Sequence, residues 1–456
     1  MSTALGEMLR NKLVQQPSSE TSVMNHATRL WNFNFLVLWQ GQLISQIGNQ
    51  VFSIATIFWI KHQTSSASLL GLLMMISALP GAILGPLGGT FADRHSRRAI
   101  VIICDFLAGI AVLAFAALIF LAPDAKNWIL LLLFLVTLFI GIVGAFFRPA
   151  ISAAIPDIIP KERLATGNAL VQFSFHLAVF LGFGMGGLLL KLLGTMLLFL
   201  VNGLSYIFAA ISEIFITIPQ KLPEKSAAWR GKLLDVKRDT VEGFRYVWSN
   251  AGMRALFFAF AFLNFFLMPI IILFPFYVED HLKATTDWYG YLMATFSVGM
   301  VIGSLLTGQL KLSGRTRSSA LIVCMFAYSA GSGALGALTT PQTAMILLFV
   351  GGLVNGFIYN SIITILQLST PSEIRGRVFG VLNTLGAGLM PITMGLSGII
   401  ADLTHKNIPL IYGTCGAIQV ILTVFIAMSR EFRGFVAYEV VQPKLAPNTE
   451  IHGEAS

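Results

Sequence analysis

The chain has 456 residues, of which 55% are hydrophobic and only 11% charged, with a mean hydropathy of +0.77 and a formal net charge of +9. This excludes a soluble globular domain and leaves lipid as the solvent for most of the surface. Hydrocarbon offers no partner to backbone N–H and C=O groups, so apolar runs this long must be helices, whereas a membrane barrel would show alternating strands.

In chain order, residues 1–32 are polar, with Arg10, Lys12 and Arg29, and lack the short apolar core and small-residue cleavage site of a signal peptide. They read as a cytoplasmic segment before an uncleaved first span. A window of about 20 residues then predicts twelve spans: 33–60, 68–88, 99–121, 128–155, 165–190, 196–219, 255–278, 288–310, 319–338, 343–368, 378–401 and 410–428. The expected fold is an all-α integral membrane protein with two pseudo-symmetric halves of six helices each. The halves cover 33–219 and 255–429, joined by a linker at 220–254 and followed by a tail at 430–456.

Charge orients these spans. Of the 30 lysines and arginines, 24 fall in the N-terminal segment, the even-numbered loops and the tail, while Lys61, Lys126, Lys191, Lys283 and Lys406 are alone in the odd-numbered loops. Arg148 lies within the fourth span. The positive-inside rule therefore puts both termini in the cytoplasm. No basic patch lies outside these loops, so nucleic acid is not an expected partner. In the linker, Val241, Phe244 and Trp248 recur at helical spacing with Glu242 and Arg245 on other faces. That pattern suits either an amphipathic helix on the membrane surface or a plain connecting helix.

Between spans two and three, Gly89 to Arg98 packs five ionisable residues, among them Asp93, Arg94, Arg97 and Arg98, between two apolar runs. The spacing G-x-x-x-D-R-x-x-R-R resembles the loop 2–3 signature of the major facilitator superfamily of secondary transporters, with Ser96 in place of the usual second Gly. The halves also repeat. A shift of 219 aligns Gly71, Gly89 and Arg98 with Gly290, Gly308 and Arg317, and a shift of 211 aligns Pro160, Glu162, Gly184 and Gly187 with Pro371, Glu373, Gly395 and Gly398. Such duplication suits a transporter whose substrate binds between the halves. Gly85-Pro86, Asp105, Val241-Glu242-Gly243, Met268-Pro269, Phe274-Pro275, Gly376-Arg377-Val378-Phe379, Met390-Pro391 and Ala401-Asp402 narrow the resemblance to the macrolide-efflux branch, near which siderophore exporters sit.

The resemblance implies that spans one, four, seven and ten line a central cavity. On span one, Gln42, Ser45, Gln46, Asn49 and Ser53 form a polar stripe, and Asn264, Asn355 and Tyr359 would join it as substrate-cavity residues. Such a stripe faces either a cavity or a partner helix. Glycines Gly81, Gly85 and Gly89 on span two, with Gly299 and Gly303 on span eight, would let neighbouring helices approach closely and slide. Pro269 and Pro275 would kink span seven. The resemblance also implies a conformational lock: Asp93 against the start of span eleven near Gly376, and Arg97 or Arg98 with Asp157, both formed only when the cytoplasmic ends are together.

No nucleotide motif occurs, so transport would run on an ion gradient or on substrate gradients. The titratable groups within spans that could carry a coupled proton are Asp105, Glu213 and His176. Cys104, Cys324 and Cys415 lie in apolar runs without metal-ligand spacing. No metal, cofactor or catalytic triad is expected, so the chain does not read as an enzyme. The expectation is a monomeric, multi-pass protein of the cell (inner or cytoplasmic) membrane, an antiporter that expels amphipathic small molecules against protons. A siderophore exporter, an uptake carrier and a non-transporting scaffold of the same fold remain open.

Overall fold

The computed structural model describes residues 31–160, 163–220, 238, 241–310, 312 and 314–437, and among them no strand occurs. Four helices open the chain: α1 (Phe33–Thr64), α2 (Ala67–Ala92), α3 (Arg97–Leu121) and α4 (Lys126–Ile158). The segment Leu164–Glu213 is broken at Gly194, with φ 71° and ψ 165°, into α5 (164–193) and α6 (195–213). Glycine adopts this left-handed φ at little cost, so the break sits where the sequence permits a sharp reversal. After a linker helix at 241–249 come α7 (Ala251–Phe276), extended by a π turn at Tyr277–His281, then α8 (Asp287–Leu310), α9 (Gly314–Ala334), α10 (Pro341–Ser369), α11 (Ser372–Leu403) and α12 (Ile408–Met428), with a short α13 (Arg430–Val436).

Ten of the described helices are long and apolar enough to cross a membrane. In α11 a shorter apolar stretch, Gly388–Leu403, is found; α11 packs on α2 at Gly398, and α5 meets the start of α8 at Gly187, so both lie between the halves. Equivalent helices pack alike in the two halves. A Cβ on Gly88 would stand 2.1 Å from the Ala145 carbonyl oxygen, and one on Gly303 1.8 Å from that of Leu353, so α2 meets α4 as closely as α8 meets α10. In the same way α1 is bonded to α6 and α7 to α12 through buried polar side chains.

Several boundaries differ from the sequence expectation. The hairpin is shorter: α2 runs through Gly89 to Ala92, and α3 begins at Arg97, capped by the Ser96 hydroxyl. Only residues 93–96 form the turn, which Gln220 ties by donating to the Ala92 and His95 carbonyls and accepting from the Arg97 N–H. Span six ends at Glu213 rather than Pro219, because residues 214–220 leave the helix to bring Gln220 to that turn. The expected N-terminal segment up to residue 30, most of the first half of the linker and the tail beyond 437 lie outside the described residues.

The apolar core sets the shape of the molecule. At the end opposite the Asp93 hairpin, one cluster is shared by both halves and includes Phe58, Trp59, Phe115, Phe274, Tyr277, Tyr289 and Tyr412. At the hairpin end there are two separate clusters. One belongs to the first half (Phe35, Ala92, Ile100, Ile155) and the other to the second (Val247, Met253, Val378, Phe432). Burial of apolar surface holds the far end together and lets the hairpin end part.

Candidate functional site

The far end is closed by charge as well as by packing. Lys61, buried at the end of α1, meets Glu279 Oε2 at 2.5 Å and Asp280 Oδ1 at 3.1 Å, and Glu279 also accepts from the Thr286 hydroxyl at 2.5 Å and contacts His62 Nε2 at 3.0 Å. Beside it, Asp402 of α11 caps α2: its carboxylate accepts from Ser66 Oγ (2.8 Å), the Ala67 N–H (3.0 Å) and the Ser68 N–H (2.8 Å). The first N–H groups of a helix lack internal partners and carry the positive end of its dipole, so a carboxylate is well placed there. Lys406 donates to the Ser65 carbonyl. Close packing continues inward, where a Cβ on Gly398 would lie 2.3 Å from the Ala67 carbonyl oxygen.

The same two helices separate toward the hairpin. A Cβ on Gly81, Gly85 or Gly89 of α2, or on Gly376, Gly380 or Gly388 of α11, would meet nothing within 4 Å. The expected close approach at the span-two glycines is therefore absent in this conformation, and Gly376 has open space around it. Asp93 is 46% exposed, 3.7 Å from Arg97. Arg97 itself is bonded to Asp157 and to the Ala153 carbonyl, and Arg98 to the Ile214 carbonyl. This corrects the expectation that the Arg97–Asp157 pair forms only when the hairpin ends meet: α3 and α4 belong to one half, and the pair persists with the halves apart. Arg94 is half-buried on the turn.

The polar stripe of α1 turns out to be divided. Gln42 is buried and donates from Nε2 to Glu213 Oε1 at 3.1 Å, while Asn49 Oδ1 accepts from the Tyr206 hydroxyl at 2.5 Å. Each pair is two helical turns from the other, so Gln42 and Asn49 bind α1 to α6 rather than standing free in a cavity. Gln46 is half-buried with its Oε1 unbonded. On the other half, Asn264 donates to the Phe260 carbonyl of its own helix, Asn355 bonds Tyr328, and Tyr359 is exposed. Asp105 and Glu213 are both buried, within hydrogen-bonding reach of each other. His176 lies on α5, its side chain outside the described residues.

Two cavities accompany this arrangement. One, of about 600 Å³, lies outside the closed end against His62, Lys191, Glu279, Thr286 and Asp287. The other, of about 270 Å³, lies at the open end between α7, α11 and the linker helix. Its wall is aromatic: Phe244, Trp248, Phe257, Phe258, Phe262 and Phe265, with Val381, Leu385 and Leu389 opposite and Arg254 at the edge. Sequence reasoning missed both this pocket and the far-end clamp. Only part of the clamp had a local signal: Ser66-Ala67-Ser68 is a helix start with a capping hydroxyl, but the fold alone brings Asp402 to it.

Comparison with known proteins agrees with this architecture. The Major Facilitator Superfamily model matches residues 38–394 and again 256–435. The chain belongs to the major facilitator superfamily. Macrolide efflux protein A of Streptococcus pyogenes is 27% identical over 384 residues, covering 83% of this chain and 91% of that one. Multidrug efflux pump Tap of Mycolicibacterium fortuitum is 25% identical over 371 residues, covering 79% and 87%. Such relatives put the chain in the macrolide-efflux-like branch, as a membrane transporter and not an enzyme. Among solved structures, the D-xylose-proton symporter superposes with a TM-score of 0.65 at 15% identity over 89% of this chain and 99% of its own, and the nucleoside transporter NupG with 0.66 at 13% over 89% and 100%. These likenesses concern the fold alone.

Proposed function

We propose that this transporter exports amphipathic small molecules, macrolide-like compounds among them, across the cytoplasmic membrane in exchange for protons, acting as a monomer. The observation that carries the reading is the aromatic pocket at the open end. An apolar, ring-lined recess of this kind takes up the hydrophobic body of an amphiphile, whose polar groups need polar side chains elsewhere along the path. Gln46, Asn264, Asn355 and Tyr359 are the candidates for those polar contacts. Arginines of the 93–96 turn and the start of α3, the linker helix and the ends of α9, α11 and α13 gather at this same end, which supports a cytoplasmic hairpin and cytoplasmic termini. The conformation is then the one that loads from the cell interior.

Alternating access follows from the antiparallel pairing of α2 and α11. When the hairpin end closes, Asp93 meets the free N–H groups at the start of α11 near Gly376, as Asp402 meets those of α2 in the present state. Each helix thus carries a carboxylate for the other's N-terminus, and the two caps are used in turn. Asp105, Glu213 and His176 are the candidates for the coupled proton. Cells overproducing the protein should retain less of a fluorescent amphiphile, and dissipating the proton gradient should abolish the difference. Unchanged retention for dyes, macrolides and siderophores alike would overturn the reading.

A further inference from the structure

We infer that Asp105 and Glu213 act as one site that holds a single exchangeable proton inside the first half, away from the substrate path, and passes its state to α1 through Gln42. The inference rests on the proton-exchange reading above and specifies where that exchange acts. Asp105 is 2% exposed and Glu213 0%, and the two carboxyls, one from α3 and one from α6, lie within hydrogen-bonding reach of each other. Ionised carboxylates are acceptors only, so two of them side by side have nothing to donate. One proton between them turns the contact into an O–H···O bond and removes one of two like charges from a buried site.

Among the described residues no cation pairs with either carboxyl in place of that proton. On α3 the nearest titratable neighbours are Cys104 and Arg98. Arg98 is bonded to the Ile214 carbonyl just beyond Glu213, and among the described residues neither carboxyl has an ion pair. On α6 there is Tyr206, engaged with Asn49. On α4, Asp157 is already paired with Arg97, and the exposed Arg148 acts electrostatically on Tyr206 without pairing with either carboxyl. From α1 the site receives only the neutral Gln42, whose Nε2–H donates to Glu213 Oε1, while Asp105 Oδ2 and Glu213 Oε2 have no partner. The site is thus under-donated by hydrogen, and one proton is what it lacks.

The second half shows what a purely structural junction looks like. There α7, α9 and α12 are joined by Gln419, which accepts from the Ser332 hydroxyl at 2.7 Å and donates to the Leu263 carbonyl at 3.0 Å. That neutral network satisfies its partners without any acid. In the first half the same kind of junction uses two acids, which hold helices together only while protonated. Losing the proton leaves two buried charges that repel, loosens α6 from α3, and through the Gln42 bond moves α1.

The test uses full-length protein reconstituted in vesicles with radiolabelled erythromycin. Asp105→Asn and Glu213→Gln each replace a carboxyl by an amide, a permanent donor in the place of the shared proton. Both should retain erythromycin exchange between two pools at equal pH, and both should lose accumulation driven by a pH gradient. Asp105→Glu and Glu213→Asp should restore part of the driven accumulation. In infrared spectra of the substrate-free protein, the carboxylic-acid C=O band assigned to the pair should vanish in either amide variant. Driven accumulation that survives in both amide variants, or exchange lost together with it in folded protein, overturns the inference. Wild-type protein that shows the band but exchanges no erythromycin, dye or siderophore would instead overturn the exporter reading and leave the proton site standing.

Discussion

Replacing Asp402 by Asn should open the far end. The carboxylate accepts three hydrogen bonds from the start of α2 and is 29% exposed at its side chain, with Lys406 3.9 Å away. A partly buried charge at a helix terminus contributes up to about 2 kcal/mol. Asparagine keeps one carbonyl acceptor but loses the charge and the second acceptor, so the loss should be about 1–2 kcal/mol. That corresponds to a shift of about 5- to 30-fold in a two-state ratio. Spin labels at Asp124→Cys and Thr339→Cys, both exposed at the far end on opposite halves, would read it by double electron–electron resonance in a Cys324→Ala background. The longer distance should gain population in Asp402→Asn. An unchanged distribution would refute the argument that this cap holds the far end shut.

Gly398→Ala should act in the same direction in the same assay, because the added Cβ would lie 2.3 Å from the Ala67 backbone oxygen, which cannot move aside without parting α2 from α11. Arg97→Ala leaves Asp157 unpaired at 25% exposure and should lower stability by about 1–3 kcal/mol. A melting series in detergent that includes Asp157→Asn should show strongly non-additive losses; additive ones would mean that the two residues do not act as a pair. Phe262→Ala and Trp248→Ala each remove aromatic wall from the open-end pocket, and each should weaken binding of a fluorescent amphiphile about tenfold or more. Titration of the purified variants, with melting as a control for folding, checks this.

The helical membrane architecture was legible because hydropathy and charge placement are properties of single segments. Long apolar runs fix the spans, and the repeat of glycines and prolines between the halves announces the duplication. Helix ends were less legible: Gly89 and Pro219 look like boundaries, but α2 continues past Gly89 and α6 stops at Glu213, since the packing of Gln220 on the hairpin turn decides both. The α1 stripe showed a different limit. Its spacing identifies one polar face, yet whether that face meets solvent or another helix depends on Glu213 and Tyr206, which are more than 150 residues away in the chain. The far-end clamp was hidden for the same reason, since Lys61, Glu279 and Asp402 gain meaning only when the two halves are set together.

Outward transport of an amphiphile at the expense of a proton gradient is what the aromatic pocket and the buried carboxyl pair together require. Everted and right-side-out membrane vesicles from the same overproducing cells, given radiolabelled erythromycin and an imposed pH gradient, address it directly. Everted vesicles acidified inside should accumulate the compound, lose it on addition of a protonophore, and exceed vesicles from cells lacking the protein. Accumulation in right-side-out vesicles instead, or accumulation indifferent to the gradient, would contradict it.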